Sequence, residues 1–407
     1  MDKSLRSKNE SIVNTSHQPT TVAPRTAPAY DLDGWRGQIP LLDAFIPLNN
    51  CSQAPQTRGT RAAAEAYLDA WNRIGMDWET WMEEVNSARG EFARLINASP
   101  DAVAVTTSVS AATASLASAL DFTGRRNKIV ATEAEFPTVG HVWLAHQKYG
   151  ADVDWVPARD GVVDLAAYDG VIDERTRVVS ACHGYYQSGF KQDLAAIAEK
   201  AHAYGAWLYV DAYQTLGTCP VDVQALDVDF LSSGTLKYLM GTPGIAFLYV
   251  RQDLIEQLHP AVTGWFGRAN PFAFQTKTLD WASTARRFDT GTPPVISAYV
   301  ARAGLSIINE IGPANIQTWT DGLAQRLLDG GQARGLTIYG PTDIRQKSPS
   351  TAFVCPGDSH GVEAQLRERG ILASARGPVI RLAPHFYNTL EEMDAALDVL
   401  AEVLRDV

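Results

Sequence analysis

The chain has 407 residues, 45% of them hydrophobic and 20% charged, which excludes disorder, collagen-like repeats and coiled coil for its bulk and suits one large domain with a smaller companion. Its formal charge of −11 and the lack of a dense basic run argue against a nucleic-acid partner. No apolar run approaches the ~18 residues that span a bilayer, the N-terminus is not built like a signal peptide, and Cys51, Cys182, Cys219 and Cys355 show neither metal-ligand nor disulfide spacing; a soluble, cytoplasmic protein with no metal site is expected.

Residues 1–29 are rich in Ser, Thr, Pro and Asn with almost no apolar periodicity, so a mobile tail is expected there and the fold is expected to start near Tyr30. From Glu65 to Leu95 the residues Tyr67, Leu68, Trp71, Trp78, Trp81, Val85 and Phe92 recur at helical intervals, broken at Gly75 to Asp77, which predicts two helices. Seven short β-branched runs follow, at Ala102–Val105, Lys128–Ala131, Asp152–Val156, Arg177–Ala181, Trp207–Val210, Asp229–Leu231 and Ile245–Val250, several of them separated by helix-like segments such as Leu194–Tyr204. That alternation predicts an α/β fold with a mainly parallel seven-stranded sheet covered by helices. After Gly291-Thr292-Pro293-Pro294 come two long helical patterns, Val295–Glu310 and Ala314–Gly330. Short strands near Leu336–Tyr339, Thr351–Val354 and Val379–Leu382 and a closing helix, Leu390–Leu404, complete a smaller α+β C-terminal domain.

The chemistry concentrates in two stretches. The apolar strand at Trp207–Val210 ends on an acid, Asp211, with Gln214 three residues later, and strand C-termini are where open α/β sheets place ligands. Downstream, Lys237 lies among small and apolar neighbours in Asp229–Gly244, where a lysine can lose its proton and attack an aldehyde. Singly, the acid reads as a cap and the lysine as a surface charge; the order of strand, acid, Gln and glycine-flanked Lys favours a site.

These two stretches resemble the class V aminotransferase superfamily, the fold-type I enzymes dependent on pyridoxal 5'-phosphate (PLP), over roughly residues 40–405. The resemblance implies a fold-type I PLP-dependent transferase: an N-terminal segment at 30–58 packing on the small domain, a large PLP-binding domain at 59–290, and a small C-terminal domain at 291–407. It implies that Asp211 pairs with the pyridinium nitrogen, that Gln214 reaches the phenolic oxygen, and that Lys237 holds the cofactor as a Schiff base and moves a proton at Cα.

Further segments match the same pattern. Val105-Thr-Thr-Ser-Val-Ser-Ala-Ala-Thr113 runs from a strand into a helix, which makes Ser108, Val109 and Ser110 phosphate-loop candidates beside the plain reading of a Ser-capped helix. Thr235 is a further hydroxyl for the phosphate, and Arg287-Phe-Asp-Thr-Gly-Thr-Pro293 resembles the family turn whose threonine reaches the phosphate of the neighbouring subunit, which implies that Thr292 is shared in a homodimer. Phe136 falls where cysteine desulfurases stack a histidine on the ring; it can stack but cannot exchange protons. Tyr185, Tyr186 and His183 follow another strand end and are candidates for lining the substrate pocket, each with an ordinary packing role as the alternative. Ser374 to Thr389 resembles the closing motif in which Arg381 grips an α-carboxylate, with Arg376 as a second candidate. Only Gly377-Pro-Val-Ile380 separates those arginines, leaving no room for the sulfur-accepting cysteine of the desulfurases.

The expected function is that of a PLP enzyme acting on an amino acid and not a typical cysteine desulfurase. Similar sequences include the PLP enzymes of lincosamide antibiotic biosynthesis, so the expected substrate is a cysteine S-conjugate, processed by C–S β-elimination or by decarboxylation coupled to oxidative deamination. An aminotransferase or amino-acid epimerase is the alternative, and a non-catalytic PLP-fold scaffold is the alternative of another class.

Overall fold

The computed structural model describes residues 27–405, so the tail expected at 1–29 lies, apart from its last three residues, outside the described residues. Helix α1 (Arg58–Ile74) opens on a reciprocal capping box between Thr57 and Thr60 and stops at Gly75, whose φ of +78° suits glycine. Asp77 caps α2 (Trp78–Leu95), so the break expected at Gly75 to Asp77 separates two helices. The α2 stripe of Val85, Ala88 and Phe92 is buried, and Phe92 stacks on Phe247 with ring centroids 4.5 Å apart.

The central sheet contains β1 (Val103–Thr106), β2 (Lys128–Thr132), β3 (Asp152–Val156), β4 (Thr176–Cys182), β5 (Trp207–Asp211), β6 (Phe230–Gly234) and β7 (Ala246–Val250). Their order across the sheet is β1-β7-β6-β5-β4-β2-β3. Only β7 runs antiparallel to its neighbours, β1 and β6. Helix α3 (Val109–Ala117), α4 (Pro137–Ala145) and α5 (Leu194–Ala203) pack on it. The strands read as continuous apolar runs because both faces are covered: every residue of β1, β2, β6 and β7 is buried. Parallel strands bring the C-termini of β1, β4, β5 and β6 to one edge, and the site forms there.

Two further helices, α6 (Val295–Ile311) and α7 (Pro313–Ala333), meet at Gly312, whose φ is +85°. The composition change at residue 291 introduces a helix, α6, that still packs on the large body: Ala298, Ala301, Leu305 and Ile308 join the core shared with Phe92. From α7 onward a second core forms, with Leu323, Leu327, Phe353, Leu382 and Leu397 at its centre, while Ile316 at the start of α7 and Phe386 and Tyr387 still belong to the large core. The small sheet, in the order β8-β9-β11-β10, contains β8 (Ile338–Tyr339), β9 (Thr351–Val354), β10 (Ser374–Arg376) and β11 (Val379–Leu382). Helix α8 (Ser359–Glu368), capped by Asp358, and strand β10 were not anticipated; α9 (Leu390–Arg405) closes the chain.

The segment before α1 belongs to the small body at one end and the large body at the other. Ile46–Pro47 pairs in parallel with Ile371–Leu372, Leu48 sits in the small core, and the Tyr30 hydroxyl donates to the Phe386 carbonyl over 2.6 Å. Seven residues after Pro47, the Ala54 amide donates to the Leu236 carbonyl of the large body over 2.9 Å.

Candidate active site

Where the strand ends meet the small body lies a cavity of about 310 Å³, bordered by Asp211, Gln214, Lys237, Arg381, Arg376, Phe136 and Tyr186. Its size falls in the range of small-molecule pockets. Asp211 ends β5 and is buried; one carboxylate oxygen accepts the Tyr213 amide over 2.9 Å. Burial raises the pKa of Asp211, and the Tyr213 amide and the charge of Lys237 oppose the rise.

Lys237 follows β6 and is half-buried. Its amine lies 4.3 Å from the Tyr213 ring centroid and 5.6 Å from that of Phe136. Burial lowers its pKa to about 8; Asp211 works against the shift, while Arg381 and Arg376 add to it. The amine is therefore neutral in a useful fraction of molecules near neutral pH, as a nucleophile or proton carrier must be. Gly234 makes this arrangement possible, because a Cβ there would come within 2.9 Å of three Tyr213 ring and hydroxyl atoms.

Ser108 caps α3 by accepting the Ala111 amide over 3.1 Å, which leaves the backbone N–H groups of Val109 and Ser110 directed at the cavity they line. The Ser110 hydroxyl donates to Thr138 over 3.4 Å, bringing in a second hydroxyl, at the start of α4, that the sequence reading had not singled out. Phe136 precedes α4, is 41% exposed, and meets Tyr186 edge to face at 5.2 Å.

Arg381, in β11, is 1% exposed yet borders the cavity. Its Nη1 donates to the Tyr186 carbonyl over 2.5 Å, its Nη2 to the Ser374 and Ser52 hydroxyls over 2.7 and 3.2 Å, and its Nε to the Ser374 carbonyl over 3.4 Å. Of the five N–H groups of a guanidinium, one on Nη1 stays uncommitted, and Ser52 extends the polar surface beside it. Gln214 is held by donating to the Cys51 carbonyl over 3.1 Å. Cys51 and Ser52 thus belong to the cavity, although no periodicity or motif around them signals it.

Four expected site residues lie elsewhere. His183 lies just past the end of β4: Cys182 and Gly184 border the cavity while the ring between them pairs with the Thr215 hydroxyl over 2.8 Å, and burial lowers its pKa to about 3. Tyr185 is buried in the core with its hydroxyl donating to Gln187 over 3.0 Å, leaving Tyr186 alone of the pair on the cavity wall. Thr235 is buried, donates to the Thr242 carbonyl over 3.0 Å, which ties the turn carrying Lys237, and is not among the residues that border the cavity. Thr292 is exposed and lies outside the cavity of its own chain.

The residues present fit PLP. A neutralisable amine, a buried carboxylate with a single amide partner, an aromatic face and a helix N-terminus with free N–H groups all border one cavity. The aldehyde, the ring nitrogen, the ring face and the phosphate of the cofactor match those four features in turn.

The Aminotransferase class-V family model matches residues 67–393. A Bacillus subtilis (strain 168) protein described as an uncharacterized aminotransferase, YcbU, is 39% identical over 369 residues, covering 90% of this chain and 96% of its own length. A probable cysteine desulfurase of Methanothermobacter thermautotrophicus is 28% identical over 392 residues, covering 90% and 97%. Among solved structures, the apo cysteine desulfurase of Thermococcus onnurineus NA1 superposes with a TM-score of 0.84 at 23% identity, covering 95% of this chain and all of that one. The chain belongs to the class V aminotransferase family and is a PLP-dependent enzyme of the fold-type I architecture that acts on amino acids.

Proposed function

We propose that the substrate is a cysteine S-conjugate and that the bond broken is its Cβ–S bond. The observation that carries this reading is the hairpin between the two arginines: β10 and β11 are joined by Gly377-Pro378 alone, which leaves no loop to carry a sulfur acceptor, while Arg381 borders the same cavity as Lys237. Bound PLP supplies an electron sink next to Cα. Lys237 takes the Cα proton, Arg381 and Ser52 orient the carboxylate, and the sulfur leaves as a thiol; with one water the remaining atoms depart as a 2-oxo acid and ammonia. Decarboxylation coupled to oxidative deamination, with molecular oxygen as co-reactant, would use the same groups on a different bond. The enzyme works as a homodimer in which Thr292, exposed on its turn, serves the partner's cofactor site. Its four cysteines are all free and buried, which supports a cytoplasmic location; among the described residues no helix is long and apolar enough to cross a membrane.

Transamination is the second reading, favoured by the description of the Bacillus subtilis relative. The test offers free cysteine and an S-conjugate in parallel, with and without oxygen. Thiol with pyruvate fits the proposal; oxygen-dependent release of CO2 and ammonia keeps the S-conjugate as substrate and replaces Cβ–S cleavage by decarboxylation coupled to oxidative deamination. Alanine with a protein-bound persulfide overturns it, and transfer of the amino group to an added 2-oxo acid establishes the second reading.

A further inference from the structure

The two arginines of the cavity are in opposite states. Arg381 is buried and has committed four of its five N–H groups to Tyr186, Ser374 and Ser52. Arg376 stands at the tip of the same hairpin, exposed, bordering the cavity, and among the described residues its guanidinium has neither a hydrogen bond nor an ion pair; only its backbone carbonyl is engaged, by Gln187 Nε2 over 3.5 Å. Gln187 also accepts the Tyr185 hydroxyl, which links the hairpin tip to the loop that carries Tyr186. The tip is held in place while its charged fork stays free.

Lys237, Arg376, Arg381 and one carboxylate, Asp211, border the cavity; with Lys237 serving the cofactor's aldehyde, Asp211 its ring nitrogen and the helix N-terminus its phosphate, the two arginines are left for the substrate. A single α-carboxylate uses the remaining donor of Arg381 and leaves Arg376 without a partner. An unpaired arginine at the mouth of a pocket discriminates between ligands by charge, because its five donors match a carboxylate in a bidentate fork. The Phe136 and Tyr186 rings, in edge contact at 5.2 Å, also border the cavity and offer an apolar surface for the stem that would join the two carboxylates.

The geometry points to Arg376 as the anchor for a second, distal carboxylate, so that the preferred substrate is an amino acid whose side chain ends in an acid. The inference rests on the reading of the site as one for an amino acid, and it adds a substrate class to it: an S-conjugate with an acidic tail is taken in preference to a neutral one of the same shape.

The test uses the PLP-loaded enzyme and two ligands that differ only in charge, S-carboxymethyl-L-cysteine and its amide S-carbamoylmethyl-L-cysteine, each titrated against the visible absorption of the holoenzyme to give a Kd. KM and kcat for both are measured in parallel. The acid is expected to bind roughly 10- to 100-fold tighter than the amide, the worth of one charge-assisted pair, with the difference in KM more than in kcat. In R376Q the two ligands are expected to bind alike, and R376K is expected to recover part of the preference. Raising the salt concentration is expected to narrow the gap in the native enzyme. Equal affinities in the native enzyme, or a preference that persists in R376Q, would overturn the assignment while leaving the amino-acid site intact. If neither ligand perturbs the absorption of a loaded enzyme, the reading of the site and the inference fall together.

Discussion

The Lys237 amine sits 4.3 Å above the Tyr213 ring, and the backbone amide of that same Tyr213 donates to Asp211. One residue therefore touches both the nucleophile and the acid, and fixes each against the other. Since burial is the main cause of the lowered Lys237 pKa, capture of PLP by the apo protein should accelerate as pH rises, with a half-point near 8 in stopped-flow absorbance. Tyr213→Ala admits water to the amine, and the half-point is expected to move up toward the ordinary lysine value. A downward move would mean that the ring acts chiefly by attracting the ammonium form.

Borohydride reduction of the holoenzyme followed by peptide mapping is expected to place the pyridoxyl group on Lys237, and Lys237→Ala to abolish the label and the visible band. Label on Lys191 or Lys128 would refute the role. Lys128 is already engaged by Asp154 and Asp173, at 3.0 Å each.

Asp211→Asn removes the buried charge that would pair with the ring nitrogen of bound PLP and keeps the acceptor for the Tyr213 amide. The fold should survive, with an unchanged circular dichroism spectrum, while kcat falls by about 100-fold or more, as when a buried electrostatic partner of a reacting group is lost. Turnover close to that of the native enzyme would remove Asp211 from the mechanism.

Arg381→Lys is expected to raise KM for any amino acid about 10- to 100-fold through loss of the planar donor set. It also leaves the Tyr186 and Ser374 carbonyls short of a donor, so a loss of ~1–3 kcal/mol in stability is expected by chemical denaturation. Ser52→Ala removes one of the four bonds and should be mild on both counts.

Glu135, next to Phe136, is buried with one oxygen accepting the Ser180 hydroxyl over 3.2 Å and the other without a partner. Burial, then the charge of Asp211, raise its pKa well above the carboxylate range. The folded state thus binds this proton more tightly than the unfolded state does, and stability attributable to the group falls as pH rises above the ordinary carboxylate value. Glu135→Gln mimics the protonated acid, so it should raise Tm at neutral pH and give little advantage near pH 4. A gap that widens toward acid would show that Glu135 is ionised in the native protein.

The sheet and the chemistry at its edge were legible because both are local. Burial on two faces makes each strand a short apolar run, and the acid that ends one of them, Asp211, stands out against it. Hydroxyl direction was less legible: Thr235 is near Lys237 in sequence, but its rotamer is set by the Thr242 carbonyl across a turn. His183 is separated from its neighbours Cys182 and Gly184 by the bend that follows β4 and by its bond to Thr215, 32 residues away, which local sequence does not state. Ser52 could not have been found at all from its surroundings, since its partner Ser374 lies 322 residues away. The shared core of α6 and α2 was hidden for the same reason, since a helix pattern states which face is apolar and not what covers it.

The stretch from Ile46 to Ala54 works as a tether between two bodies. It is a strand of the small body at Ile46–Pro47, donates from Asn50 to the Ala383 carbonyl, receives Gln214 at the Cys51 carbonyl, and is fastened to Leu236, the residue before Lys237, by the Ala54 amide. Between these fastenings the chain makes a turn, in which the Ser52 and Gln53 amides both donate to the Asn49 carbonyl, over 2.8 and 3.0 Å, so swinging the small body away by a hinge motion would load this turn and the bonds at Cys51 and Ala54 together. Substrate entry and the set of Gln214 and Lys237 are mechanically joined, so a change in the gap between the two bodies is transmitted to the reacting end of the site without any contact from the substrate itself.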